Sequence, residues 1–337
     1  MKHIYRLIRF NRLITNHRVK FAGVLLWDLL GWRNLFVRLD PVNACNLKCA
    51  MCYFSDKEYV KKTKGIFDDR DLARLAELFY PQTLQLMVGC GTEPTLHRNF
   101  MLAIKLGREY GVPYIGVTTN GQRLTEEHME GFMEYGLDEV TFSTHGVRKG
   151  TYEKLMVNAS FDRFCEMLAR LHELKQRRGA SKPEVRLNYT VNEDNLDELS
   201  DFFKVYGDYH MQTLQIRPMA DVGNTAYAYR DFGPLIPRYQ QIVAELEREC
   251  HRRGIVFMAT TMDPTYRTRN KSSYVLTSVM RYINPQVVWR PDFDWKNETY
   301  RQYCKRTGWR KQLLGNIFTG PEKLETADHN LTYEVKI

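Results

Sequence analysis

Six short apolar runs rich in β-branched residues recur along the first two thirds of the chain, with stretches of helical spacing between them. They are LFVRLD at 35–40, TLQLMVG at 83–89, YIGVTTN at 114–120, DEVTFST at 138–144, EVRLNYTV at 184–191 and TLQIRP at 213–218. Helices are predicted between them over 68–80, 98–110, 125–135, 151–178 and 194–206. Such alternation calls for a parallel sheet covered by helices, because parallel neighbours need a long crossover. Near-continuous apolar strands fit burial on both faces. The fold class is therefore α/β, as a barrel or an open sheet. A helix at 234–253 follows from the spacing of Ile236, Tyr239, Ile242, Val243 and Leu246, after which no clear period, repeat or low-complexity tract is seen.

In parallel α/β architectures reactive groups collect at the C-terminal strand ends. Four loops here obey that rule. NACNLKCAMCYFS (43–55) follows the first strand, GCGTEPT (89–95) the second, TTNGQ (118–122) the third and STHG (143–146) the fourth, so all four converge on one rim. Cys45, Cys49 and Cys52 lie within eight positions and Tyr53 comes directly after. Four thiolates would close a tetrahedral zinc site; three leave one position open for a ligand that is not protein. Three unrelated cysteines, or a zinc site completed by Cys90 or His97, remain open on the triplet alone.

The C-x₃-C-x₂-C spacing followed by an aromatic residue resembles the signature of the radical S-adenosylmethionine (AdoMet, SAM) superfamily, and the core is similar to its MoaA/PqqE/SPASM-type branch. That resemblance implies a partial (β/α)6 TIM-type barrel with one [4Fe–4S] cluster on Cys45, Cys49 and Cys52, its remaining iron chelated by AdoMet. GCGTEP is similar to the family's Gly-Gly-Glu-Pro element: Gly89, Gly91 and Glu93 remain, while Thr92 replaces the second glycine. Gly91, Thr92 and Glu93 are expected to bind the methionyl amine and Tyr53 to touch adenine. Thr119 and Asn120 of TTNG are expected near the ribose, and Ser143 and Asn188 near ribose or carboxylate. The implied activity is one-electron cleavage of AdoMet and hydrogen abstraction from an unidentified substrate, with electrons from a flavodoxin- or ferredoxin-like donor. No catalytic residue is assigned. His145 and Arg217 are candidates for facing substrate, with loop hydrogen bonding and a structural carboxylate as the alternatives; Cys90 reads as a small buried thiol.

The resemblance covers residues 35–220. Residues 1–34 form a basic amphipathic extension and 221–337 a C-terminal extension, read as a cysteine-depleted remnant of the SPASM/twitch-like region: only Cys250 and Cys304 lie there, though LLGNIF (313–318) is similar to that region's end. Of the formal charge of +9, most sits in residues 1–40, where Lys2, Arg6, Arg9, Arg12, Arg18, Lys20, Arg33 and Arg38 face only Asp28 and Asp40. Mixed with Ile4, Leu7, Ile8, Leu13, Val24, Leu25, Leu26, Trp27, Leu29 and Leu30, these bases suit an anionic membrane surface or a helical cap with solvated charges. Dispersed cysteines and the lack of a small-residue cleavage site point to a cytoplasmic protein, membrane-associated through its first segment. Two rivals from other classes are an iron–sulfur redox or sensor component without turnover, and a zinc- or nucleic-acid-binding module; nucleic acid is not the expected partner.

Overall fold

The computed structural model describes residues 14–219, 224–228, 231–259, 274–324 and 334–336. Lys2, Arg6, Arg9 and Arg12, with Ile4, Leu7, Ile8 and Leu13, lie outside the described residues. All six expected strands form: β1 (Leu35–Leu39), β2 (Thr83–Val88), β3 (Tyr114–Thr119), β4 (Glu139–Thr144), β5 (Glu184–Val191) and β6 (Thr213–Pro218). Each pairs in parallel with the next, β1 to β6 in chain order. The helices between them present one apolar stripe each to the sheet. In Asp69–Phe79 the buried stripe is Leu72, Leu75, Ala76, Leu78 and Phe79, and the helix starts on a capping box in which Asp68 and Asp71 take each other's backbone amides.

The single helix expected over 151–178 is two, Lys149–Leu155 and Phe161–Arg178. Asn158 has φ +76°, and Ser160 caps a new helix by accepting from the Arg163 amide, so local chemistry stops one helix and starts another. Expected 194–206 is a 3₁₀ turn, Asp197–Asp201, running into a short helix, Phe202–Tyr206.

The sheet does not end at residue 220. β7 (Val256–Ala259) extends it beside β6, and β8 (Met280–Asn284) pairs in parallel with β1 at the other edge. β9 (Val287–Val288) and β10 (Glu334–Lys336) add antiparallel edges to β8 and β7, giving ten strands among the described residues, in an order whose two ends do not pair with each other. β7 and β8 both lie in the late part of the chain, where the sequence shows no clear period. What holds β8 is an aromatic surround: the buried Arg281 guanidinium lies 4.0 Å from the Trp289 ring centroid, and its Nη2 donates to the Tyr300 hydroxyl at 2.7 Å. No helix among the described residues is long and apolar enough to cross a membrane.

Candidate functional site

The cysteine loop leaves the C-terminal end of β1 and is pinned by backbone hydrogen bonds at both ends. Lys48 and Ala50 amides donate to the Val157 and Leu155 carbonyls at 3.0 and 2.8 Å, and the Glu93 amide donates to the Ala44 carbonyl at 2.9 Å. All seven cysteines are free thiols. Burial pushes the Cys45 thiol up to about 12, and burial followed by repulsion from Cys52 and Cys45 pushes Cys49 upward; Cys52 is raised by burial too. The three are thus close enough to feel one another, in surroundings that disfavour bare thiolates and would welcome a cationic partner. They do not converge on a point: among the described residues no three His, Cys, Asp or Glu side chains are placed to hold a single ion.

Both candidate fourth zinc ligands are committed elsewhere. His97 Nε2 bonds the Phe67 carbonyl at 2.7 Å while its Nδ1 accepts from the Asn99 amide at 3.0 Å. Cys90 donates to the Met87 carbonyl and its backbone amide is held by Asp40. Among the described residues the protein donor set therefore stays at three, which fits a cluster with one open corner.

The turn after β2 is shaped by residues from three other places in the chain. Gly89 has φ +79° and a side chain there would run into the Thr118 carbonyl. At Gly91 a Cβ would sit 2.7 Å from the Tyr53 hydroxyl and 3.1 Å from both the Asp40 carboxylate and the Tyr282 hydroxyl. Asp40, fully buried at the end of β1, accepts from the Cys90 amide at 2.6 Å, the Gly91 amide at 3.1 Å and the Tyr282 hydroxyl at 2.6 Å. Its carboxyl is pushed up by burial and held back by those donors. The Tyr53 hydroxyl donates to the Gly91 carbonyl, and its ring packs 4.6 Å from Tyr59. Asp40 and Tyr282 escaped the sequence reading. An acid closing an apolar strand was the only signal for the first, and Tyr282 carried none.

Glu93, expected at the methionyl amine, is occupied by protein. Oε1 accepts from Thr95 Oγ1 at 2.6 Å, Thr119 Oγ1 at 2.8 Å and the Thr95 amide at 3.2 Å, and Oε2 accepts from the Asn120 amide at 2.8 Å. A carboxylate offers about four acceptor directions. Glu93 thus ties the β2 turn to the end of β3. Asn120 continues the tie: its Nδ2 donates to Asn46 Oδ1 at 2.9 Å and reaches Cys45 Sγ at 3.9 Å. Thr92 sits half-buried in the same turn.

Across the rim, Ser143 on β4 stands in register with Asn188 on β5, which in turn faces Gln215 on β6. Asn188 Oδ1 is buried with no hydrogen-bond partner. A buried acceptor without a partner is where a ligand donor belongs. His145 bonds the Thr144 carbonyl through Nδ1 at 2.8 Å, and burial, then the nearby Arg217 charge, push it down to about 4, so it is neutral at physiological pH.

The profile of the radical SAM superfamily matches residues 39–205. The probable GTP 3′,8-cyclase of Saccharolobus solfataricus is 25% identical over 199 residues, covering 59% of this chain and 61% of that protein, so the chain spans less than two thirds of that relative. The probable GTP 3′,8-cyclase of Thermoplasma volcanium is 24% identical over 275 residues, covering 80% and 77%. Among solved structures, Streptococcus suis SuiB bound to S-adenosylmethionine superposes with a TM-score of 0.63 at 13% identity, covering 85% of this chain and 68% of that one.

Proposed function

This chain belongs to the radical SAM superfamily, and from that premise we propose that it binds one [4Fe–4S] cluster and AdoMet at the open rim and uses them for radical chemistry on a substrate still to be identified. The observation that carries the proposal is the continuous tie from the cysteine loop through Asn120 to Glu93 and the glycine turn, which places three sequence motifs in one hydrogen-bonded unit. When bound, the cluster and AdoMet supply one-electron cleavage to methionine and a 5′-deoxyadenosyl radical that abstracts a substrate hydrogen.

The chain's own task is to hold and position. Cys45, Cys49 and Cys52 take iron, and Asn120 directs an amide N–H toward the Cys45 sulfur, which orients that ligand. Asp40 and Tyr53 hold the Gly89–Gly91 turn in the shape that receives the AdoMet methionyl end, with Thr92 beside it; Glu93 fixes that turn against Thr119 and Asn120. Ser143 and the free acceptor of Asn188 offer polar contacts from the opposite wall. A single cluster is supported by the two late thiols: Cys250 is buried in the face that helix Ile236–Arg253 turns to the core, and Cys304 lies on another helix, Tyr300–Arg306. The partners are a flavodoxin- or ferredoxin-like one-electron donor and the substrate, in the cytoplasm with a peripheral contact to an anionic membrane surface. GTP chemistry is a property of the named relatives and lends the substrate here no assignment.

The test is anaerobic loading with iron and sulfide, followed by dithionite and AdoMet, scoring 5′-deoxyadenosine beside a Cys49→Ala control. Native chain should load about four irons and form the product, and the variant should form none. A loaded cluster without product favours a redox component, and failure to load iron favours zinc.

A further inference from the structure

The helix His17–Leu29 is apolar on both sides, and its two sides have different fates. Its inner side, Phe21, Val24 and Leu25, packs on a small core of Tyr274, Trp309 and Leu313. Its outer side runs Val19, Ala22, Gly23, Leu26 and Leu29, at the three-, four- and seven-residue spacings of one helix face, and continues to Leu30 just past its end, all turned to solvent. An apolar helix face belongs in a buried setting, and the outer stripe has no cover among the described residues.

A second helix enlarges the surface. Trp309–Phe318 runs antiparallel to the first, joined at one end by His17 Nε2 to the Thr319 carbonyl at 3.0 Å and at the other by Arg310 to Asp28 at 2.6 Å. It exposes Leu314 and Phe318 one turn apart, with exposed Lys311 on the same side. Together with Trp32, seven large apolar residues from the two ends of the chain are 48–75% exposed: Val19, Leu26, Leu29, Leu30, Trp32, Leu314 and Phe318. Patches of that kind on soluble domains mark interaction surfaces.

Charge selects the occupant. On the described face Arg18 and Lys311 are exposed, while the acid of the first helix, Asp28, is paired with Arg310. A second copy of the chain would bring two such basic surfaces together, whereas an anionic bilayer would neutralise them while its acyl boundary covers the apolar stripe. We propose that the paired helices His17–Leu29 and Trp309–Phe318 form a docking face for an anionic lipid surface. Leu30 and Trp32 lead directly into the start of β1, the strand end opposite the rim, so docking serves anchorage and leaves the rim free for a soluble substrate. The inference rests on the membrane contact proposed above, whose surface it names, and holds independently of AdoMet turnover.

Co-sedimentation of the full chain with phosphatidylcholine vesicles, with and without phosphatidylserine, tests it beside Leu26→Glu/Leu30→Glu. The wild type should bind the anionic vesicles about tenfold more tightly, losing that advantage at high salt. The variant should lose about tenfold in binding while keeping its helix content. Quenching of Trp32 emission by brominated lipid in the wild type, against Trp32→Phe, reads the same face without relying on the variant's folding. Absence of vesicle binding, equal binding by a folded variant, or no Trp32 quenching overturns the proposal. So does a wild-type dimer that the variant dissolves without change in vesicle binding, which assigns the face to a second copy.

Discussion

Two buried carboxylates, Asp40 and Glu93, do most of the work of shaping this site, and they do it as acceptors for backbone amides. A carboxylate that receives several N–H and O–H bonds tolerates burial that would otherwise cost several kcal/mol. Glu93→Gln puts an NH₂ among donors and leaves part of the network unpaired. Urea denaturation should show a loss of about 2–3 kcal/mol for that variant. His145 sets a pH dependence of known sign. Its folded value of about 4 lies below the ordinary 6.5, so between those limits the unfolded chain binds the extra proton and stability falls as the solution is acidified. Buried Asp40 and Glu93 are pushed up from the ordinary carboxylate range, so the folded chain takes up their protons first and opposes this within the same window; the comparison has to be made against His145→Gln. That variant should flatten the acid limb from pH 6.5 to 4 by about 1–2 kcal/mol in a series of denaturation curves.

At the scale of elements, the strands were legible because each is a short apolar run; β3 and β4 are buried almost throughout, whereas β1 alternates buried with half-buried residues. The crossover helices were legible from their stripes. Boundaries were less so. The break at residues 156–160 depends on one left-handed Asn158 and one capping Ser160, signals too local to outweigh a continuous apolar pattern. Ser160→Ala should cost about 1 kcal/mol in unfolding free energy, since the Arg163 amide loses its acceptor.

At the scale of the molecule, the chain's late part turns out to belong to the site. β8 lies beside β1 and carries Tyr282 onto Asp40, 242 residues away in sequence, and that hydroxyl stands 3.1 Å from where a side chain on Gly91 would begin. Tyr282→Phe should weaken AdoMet binding several-fold by calorimetry while the cluster's visible absorption and iron content stay unchanged; unchanged affinity would make Tyr282 a packing residue only. The sequence by itself determined the α/β class, the six-strand rhythm, the cysteine triplet and the rim on which the motifs gather, because all of these are written in local composition and spacing. Only the tertiary structure decided that β7 and β8 extend both edges, that Glu93 is a tie, that Asp40 and Tyr282 hold the glycine turn, and that the two ends of the chain pair as helices. Each of these depends on groups that meet only when distant segments are brought side by side, and no periodicity in the chain encodes such meetings.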